Sequence, residues 1–351
     1  MGLSTYRPED VTILLKDITG QIEPSPAQER ERRIQSGVHY SEMLPLEYDP
    51  SRAYLDLYHQ AMDLYAGLTA EAVAVAAEQI LRDKGEDAVL VSLARAGTSV
   101  GVLLRRYLRK KYGIDAPHYT ISIIRGRGID RNAMDHILSR HRPETIQFVD
   151  GWTGKGAITR QLREAMGDYP GVDSGLAVLS DPAWLSARCG THEDFLLPSS
   201  CLNAVASGLM SRTVLRSDLI GPEDFHGAVF YPHLRDKDLT YHFIDGVEAR
   251  FTFEDRQLPG ETGSPAAAAE EVAELCRVFS IRDVNLVKPS IGEATRVLLR
   301  RLPWKVLVYS LHDDAHLKHL YRLAEEKGVE LAEYPLRCYR ACGLIRDLSD
   351  V

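Results

Sequence analysis

The stretch that decides the fold is Phe148-Val149-Asp150-Gly151-Trp152-Thr153-Gly154-Lys155-Gly156. It begins in an apolar run, residues 145–150, and leads into a helical pattern carried by Ile158, Leu162 and Met166. An acid at a strand end, a Gly-rich turn and a helix start bring a carboxylate and backbone N–H groups to the carboxyl edge of a parallel sheet, where α/β proteins bind ligands. The stretch therefore predicts an α/β domain with an anion-binding loop, although a βα turn without a ligand has the same pattern.

Three more apolar runs have the length of buried strands. Residues 88–94 precede a helix that opens near Gly97, residues 119–124 precede a turn rich in Gly and Arg, and residues 175–179 follow later in the chain. Such strands alternate with helical patterns. We therefore expect βαβ units and a mostly parallel sheet with helices on both faces.

The chain divides into two predicted domains. The first spans 1–254, with its first 50 residues as an irregular arm or hood and with two helices before the sheet, one from Tyr54 and a second capped by Thr69. Residues 255–265 contain two prolines and two glycines and are the best linker candidate. Residues 266–351 then form a small α/β domain.

Composition and charge exclude several classes of protein. The 351 residues carry a formal net charge of −8 and are 44% hydrophobic, which is typical of a globular protein and argues against binding nucleic acid over the whole surface. No apolar run approaches the roughly 20 residues of a membrane span, and the N-terminus lacks a signal-peptide pattern, so we expect a cytoplasmic protein with no membrane partner. The five cysteines form no CxxC pair, which favours reduced thiols. The sequence leaves a homo-oligomer open.

The 148–156 stretch resembles the motif with which type I phosphoribosyltransferases bind phosphoribosyl pyrophosphate (PRPP). The resemblance implies that Asp150 orients the ribose and shares a Mg²⁺ ion with PRPP. It also implies that five loop residues hold the 5′-phosphate: Gly151, Thr153, Gly154, Lys155 and Gly156. In that family a second acid follows the first, whereas glycine follows Asp150 here and the turn is one residue shorter.

Two more loops resemble loops of the same family. Small residues after the first strand resemble the pyrophosphate loop, in which backbone amides approach the anion: Arg95, Ala96, Gly97 and Thr98. Arg125 and Arg127 follow the second strand, where the family has its catalytic loop, and their charges suit a departing pyrophosphate. Each loop alone also fits a solvated turn. Together the three loops predict a transferase that acts at ribose C1 of a nucleotide-like substrate.

Residues 196–203, Leu-Leu-Pro-Ser-Ser-Cys-Leu-Asn, resemble a bacterial family found with tellurite-resistance and stress-response clusters. The Arg-Gly-Arg-Gly-Ile-Asp and Asp-Gly-Trp-Thr-Gly-Lys-Gly runs share this resemblance, which covers nearly the whole chain and is given under two family names, phosphoribosyltransferase-like and cysteine protease StiP. The protease name implies Cys201 as nucleophile, with His226, His233 or His242 as its base. A buried packing role for Cys201 is the alternative. The three histidines and two nearby aspartates match no compact metal site.

The C-terminal part resembles the Pelota-type RNA-binding fold. In that family a Gly-x-x-Glu turn that opens a helix approaches the RNA backbone, and the resemblance gives this role to Gly292, Glu293 and Arg296, with the glutamate directly after the glycine. A domain that only packs on the first one is the alternative. The leading prediction is thus a PRPP-dependent transferase with structured RNA as a partner. The other two readings are a cysteine peptidase using Cys201 and a non-catalytic nucleotide- or RNA-binding protein of the stress response.

Overall fold

The computed structural model of the chain describes residues 2–254 and 263–346. The helices of these residues are α1 (Ala27–Gln35), α2 (Arg52–Lys84), α3 (Ala96–Tyr112), α4 (Arg131–Leu138), α5 (Ala157–Met166), α6 (Thr240–Glu248), α7 (Pro265–Val278), α8 (Ile291–Arg300) and α9 (Asp314–Lys327). Their strands are β1 (Thr12–Ile13), β2 (Lys16–Asp17), β3 (Pro24–Ser25), β4 (Leu44–Pro45), β5 (Val89–Leu93), β6 (His118–Ile121), β7 (Ile123–Ile124), β8 (Gly128–Ile129), β9 (Ile146–Val149), β10 (Leu176–Ser180), β11 (Arg188–Thr191), β12 (Gly227–Ala228), β13 (Val287–Pro289), β14 (Pro303–Val308), β15 (Glu330–Glu333) and β16 (Ala341–Ile345).

Six strands form a parallel sheet in the order β1-β6-β5-β9-β10-β11. Successive residues of a strand point to opposite faces, and in β5 Leu90 joins a core cluster with α2 and α3, whereas Val89 and Val91 join one with α4 and α5. Helices therefore cover both faces. The prediction of a mixed α/β fold with a mostly parallel sheet is confirmed, and its finer form, a type I phosphoribosyltransferase fold, is not shown by this topology.

Helix α2 is continuous, where the sequence analysis predicted two helices. It begins after Ser51, whose hydroxyl accepts a hydrogen bond from Tyr54 N (3.3 Å), and ends at Gly85, which has a positive φ of 74°. Thr69 is not a cap, because its hydroxyl donates to the carbonyl of Tyr65 one turn earlier in the same helix (2.8 Å). By length and composition α2 could cross a membrane, but 67% of its most apolar window is buried inside the protein, as in a core helix.

Part of the first 50 residues packs into the core of the first domain, in addition to the irregular arm or hood that the sequence predicted. Strand β1 lies at the edge of the main sheet, parallel to β6, and Val11, Leu14 and Ile18 beside it are buried. Elements of two residues are too short to leave a periodic pattern in the sequence.

The C-terminal part has a sheet of its own in the order β13-β16-β14-β15. Strand β13 starts at Val287, directly after a 3₁₀ turn over Val284–Leu286. Of the predicted linker, residues 255–262 lie outside the described residues. The Asp194 carboxylate, beyond β11 at the carboxyl edge of the main sheet, accepts hydrogen bonds from Ile291 N (3.1 Å) and Arg340 N (2.9 Å), so the C-terminal part packs on this edge.

Candidate functional site

The predicted anion-binding loop lies between β9 and α5, at the centre of the carboxyl edge. Asp150 is half-buried, and burial raises the pKa of its carboxyl to about 6 although the nearby Arg296 cation lowers it in part. Its Oδ1 accepts a hydrogen bond from Gly151 N (2.8 Å). The Thr153 hydroxyl donates to the carboxylate of Asp181, beyond the next strand. The threonine therefore ties two strand ends together.

The C-terminal part packs against the mouth of this loop. The Lys155 ammonium donates to Val287 O (2.9 Å), and the Tyr339 hydroxyl donates to Gly154 O (3.3 Å). A Cβ at Gly154 would lie 3.2 Å from Glu293 Cγ. Burial in this contact lowers the pKa of Lys155 to about 8. Protein groups thus contact the loop residues that the resemblance assigned to a phosphate.

The second predicted loop, residues 95–98, is also held by protein contacts. Arg95 is buried, donates to Met210 O (2.7 Å) and forms an ion pair with Glu47 (3.5 Å). A Cβ at Gly97 would lie 2.3 Å from Val149 O, so glycine lets the start of α3 pack closely on β9. Anion binding by this loop stays a prediction.

Arg125 and Arg127 lie at the tip of the β7–β8 hairpin and point into different spaces. Arg125 lines a cavity of about 680 Å³ between the two parts of the chain and donates to Asn285 Oδ1 (3.0 Å). Arg127 lines a separate groove of about 880 Å³ and forms an ion pair with Glu42. The structure does not bring the two arginines together over one ligand.

The residues that the Pelota resemblance assigned to RNA face the first domain. Arg296 stacks its guanidinium over the Trp152 ring, 4.3 Å from the centroid, and a Cβ at Gly292 would lie 2.3 Å from Trp152 Cε2. Burial raises the pKa of Glu293, but the Arg296 and Lys288 cations lower it more, so the net shift is downward. The two loops predicted to bind separate ligands therefore contact each other.

Cys201 lies at the end of a 3₁₀ turn, Pro198–Cys201, and is 0% exposed. Burial raises the pKa of its thiol to about 12, which disfavours the reactive thiolate at neutral pH. Of the three histidines suggested as its base, His226 hydrogen-bonds Ser122 and His242 hydrogen-bonds Tyr58. Within residues 2–254 and 263–346, the hydrogen bonds of these histidines join none of them to Cys201.

A different cysteine has a histidine beside it. Cys189 lies in β11, and β11 pairs in parallel with β10 so that Cys189 is opposite Val178. Asp181 follows β10 directly and His192 follows β11 directly. Since parallel strands end at the same edge, the strand pairing brings the thiol, the imidazole and the carboxylate together at the side of the sheet where β11 lies.

The ring of His192 is oriented for proton transfer from this thiol. Cys189 Sγ lies 3.5 Å from His192 Nε2, and His192 Nδ1 lies 2.9 Å from the backbone oxygen of Asp181. A carbonyl oxygen only accepts hydrogen bonds, so this contact assigns the proton of the neutral ring to Nδ1. The lone pair of Nε2 then faces the thiol. No pattern in the sequence indicated this pair.

Trp184 covers one face of the His192 ring. The two rings are parallel within 5°, with centroids 3.4 Å apart. Trp184 has a φ of 56°, a left-handed conformation that is unusual for a bulky residue and is found most often at functional sites. The connection between β10 and β11 therefore holds a strained backbone against the imidazole.

The Asp181 carboxylate holds the connection between β10 and β11 through hydrogen bonds. It accepts four hydrogen bonds, from Thr153 Oγ1, Leu185 N (3.0 Å), Ser186 N (2.9 Å) and Ser186 Oγ (2.6 Å). A carboxylate oxygen of Asp181, the Sγ of Cys189 and a ring nitrogen of His192 lie within 4.8 Å of one another, which is close enough to hold a metal ion. Because the carboxylate oxygens already have these donors, the free chemistry of the site is that of the thiol and the imidazole.

Comparison with known proteins agrees with thiol chemistry. The family model described as tellurite-like stress resistance cysteine protease StiP matches residues 4–248, and the PELOTA RNA binding domain matches residues 266–347. The cysteine protease StiP of Acinetobacter baylyi is 36% identical over 98% of this chain and 94% of its own length. The prediction of a phosphoribosyltransferase is therefore wrong, and the peptidase alternative is the one favoured. The chain belongs to the StiP cysteine protease family and carries a C-terminal Pelota RNA-binding domain.

Proposed function

We propose that this protein is a cysteine peptidase in which Cys189 is the nucleophile and His192 is the general base. The observation that carries the proposal is the 3.5 Å contact between Cys189 Sγ and His192 Nε2, in a ring whose other nitrogen is fixed by Asp181 O. A nucleophile beside a base that a third group orients is the usual arrangement for covalent catalysis. Family membership supports the reaction class, and the geometry favours Cys189 over Cys201.

The reaction follows from these contacts. His192 Nε2 takes the thiol proton, and the Cys189 thiolate attacks the carbonyl carbon of the scissile peptide bond. The imidazolium gives this proton to the leaving amine as the C–N bond breaks, which leaves a thioester on Cys189. Water then gives a proton to Nε2 and attacks the thioester carbonyl. The C–S bond breaks, and the imidazolium returns the proton to the sulfur.

Asp181 and Trp184 position the base. The Asp181 carbonyl selects the tautomer, and one carboxylate oxygen, 3.9 Å from Nδ1, stabilises the imidazolium once it has formed. Stacking by Trp184 restricts rotation of the His192 ring. Neither residue contacts the thiol in these roles, so both are positioning residues.

Access to the thiol requires a local movement. Cys189 is 3% exposed, so a peptide reaches Sγ only after a neighbouring segment has moved. The connection that carries Trp184 beside His192 is the gate in this proposal, since active-site loops commonly close over the reaction and exclude water.

Two matched variants test the assignment. Cys189→Ala should lower the rate of peptide cleavage at least about a thousandfold, whereas Cys201→Ala should keep it. Cleavage of a fluorogenic peptide library and of casein by the full chain is measured, with circular dichroism to verify the fold. Loss of activity in Cys201→Ala with full activity in Cys189→Ala would contradict the proposal.

RNA is the proposed partner of the C-terminal domain. The Pelota match supports it, but the predicted contact turn at Gly292 and Arg296 is covered by Trp152. RNA reaches this turn only if the two domains separate there.

Trp152→Ala should therefore tighten binding of a structured RNA and preserve its salt dependence, as measured by filter binding. If wild type and Trp152→Ala bind the RNA with equal affinity, the RNA does not contact the Gly292 turn. The Mg²⁺ ion expected at Asp150 was predicted to bind together with PRPP, and this metal site stays a prediction.

A further inference from the structure

The cavity between the two domains has more cations than carboxylates in its lining. Its volume is about 680 Å³, within the range of small-molecule sites. Seven of its lining residues are basic: Arg30, Arg125, Arg212, Lys288, Arg296, Arg300 and Arg301. Three are acidic: Glu31, Asp283 and Glu293. The walls therefore carry an excess of positive charge in a chain whose net charge is −8.

The acids neutralise only some of these cations. Glu31 pairs with Arg301 (2.8 Å), and Glu293 pairs with Arg296 (3.2 Å). In the part of the chain that the structure describes, no carboxylate lies within salt-bridge distance of Lys288 or Arg300.

Two guanidinium groups also have unused donors. The Nε atoms of Arg212 and Arg300 are buried and have no hydrogen-bond partner among the described residues. An unsatisfied buried donor costs free energy, and more so when it carries charge. Burial lowers the pKa of Arg212 to about 9 and that of Lys288 to about 7, although the nearby Glu293 carboxylate raises the pKa of Lys288 in part.

Apolar side chains form another part of the wall. Ile123 and Ile158 come from the first domain, and Leu286 and Val297 come from the C-terminal domain. A ligand that fills this space thus needs an anionic part for the arginines and an apolar body for these side chains.

We propose that the cavity binds a small molecule with two or more linked phosphate groups and a planar apolar ring, as in a nucleoside di- or triphosphate. Guanidinium forks suit phosphate oxygens, and Lys288 and Arg300 are two of the cavity's cations that have no carboxylate within salt-bridge distance among the described residues. Because Arg212 belongs to the first domain and Arg300 to the second, such a ligand holds the two domains together. Neither Cys189 nor His192 lines the cavity, so ligand binding is measured without reference to peptidase activity.

Isothermal titration calorimetry on the full chain tests the site at constant ionic strength. A nucleoside triphosphate should bind more tightly than tripolyphosphate, because only the former contacts the apolar wall. Orthophosphate and the free nucleoside should bind far more weakly than either. Arg300→Met and Lys288→Met should each lower the affinity for the nucleoside triphosphate about tenfold or more. Arg109→Met is the matched control, since Arg109 is exposed on α3, away from the cavity.

Thermal unfolding separates ligand binding from a structural role of Arg300. Without ligand, Arg300→Met should unfold at the same or a higher temperature, because a cation with an unsatisfied buried Nε is replaced by an unbranched apolar side chain. With ligand, its melting temperature should rise less than that of the wild type. Absence of binding heat for tripolyphosphate and the nucleoside triphosphate at millimolar concentration would overturn the proposal. Equal affinities for Arg300→Met and Arg109→Met would do so too.

Discussion

Asp194 offers a direct test of how the C-terminal domain is held on the sheet edge. Its carboxylate accepts hydrogen bonds from Ile291 N, 3.1 Å from each oxygen, and from Arg340 N at 2.9 Å. Asp194→Ala leaves both N–H groups without this acceptor. At about 1–3 kcal/mol for each orphaned donor, the free energy of unfolding should fall by about 2–6 kcal/mol.

Asp194→Asn isolates the effect of the charge. Burial raises the pKa of Asp194 from 3.8 to about 6, so the folded state binds the proton more tightly than the unfolded state. The stability from this proton is present below pH 3.8 and is lost as the pH rises through about 6. At 1.36 kcal/mol for each pKa unit, the loss is about 3 kcal/mol. Asparagine does not titrate, so the stability of Asp194→Asn relative to wild type should rise by this amount across the window.

Urea unfolding of the full chain between about pH 4 and about pH 7 measures both effects. Asp150 has a pKa raised to a similar value, but it titrates in wild type and variant alike and cancels in the difference. A constant stability difference between Asp194→Asn and wild type across this range would refute the reasoning. Wild-type stability in Asp194→Ala would refute the role of the hydrogen bonds.

Three further substitutions test the site and the domain contact. His192→Asn should lower kcat for peptide cleavage about 10²- to 10⁴-fold with the fold intact, and an unchanged kcat would exclude it as the base. Trp184→Gly places glycine at a left-handed φ, which glycine adopts readily, and uncovers the His192 ring. Iodoacetamide should therefore label Cys189 faster than in the wild type, as followed by mass spectrometry. Slower or equal labelling would count against a gate. Gly292→Val adds a side chain where Trp152 lies, so it should destabilise the full chain by more than about 1 kcal/mol in urea unfolding, unlike a control valine at the exposed Gly2.

The parallel sheet was predictable because its signals are local. Each buried strand is a short apolar run, and the loop at 150–156 follows such a run directly. Where the signal was weak, the prediction failed. Strand β1 has two residues, and Thr69 looks like a cap in the sequence but bonds to Tyr65 within one long helix.

The environment of the predicted loops could not be read from the sequence. The pattern around Asp150 describes a loop that is open at the sheet edge, whereas Lys155 and Gly154 contact residues more than a hundred positions later. The same contact covers the Gly292 turn. Both loops have the expected local residues, and neither sequence pattern contains the information that one domain would dock on the other.

The Cys189 and His192 pair was missed for a related reason. Cys189-Gly190-Thr191-His192 resembles an ordinary strand end, and successive strand residues point to opposite faces, so the spacing alone places the two side chains apart. Two contacts bring them together. The strands β10 and β11 pair in parallel, and the His192 ring hydrogen-bonds the Asp181 carbonyl after β11 has ended. A search for an acid after one strand and a cysteine and histidine around the next would have found the candidate.

The connection above this pair also links the chemistry to the C-terminal domain. Ala183 is buried in a hydrophobic cluster with Val272 and Leu275 of α7, while its neighbour Trp184 stacks on His192. A Cβ at Gly263, at the entry to the C-terminal domain, would lie 2.1 Å from Trp184. If this connection is the gate proposed above, its movement disturbs the packing of α7 on the first domain. Access to the thiol and docking of the Pelota domain would then be parts of one equilibrium, in which a ligand that favours the docked domains also keeps the thiol covered.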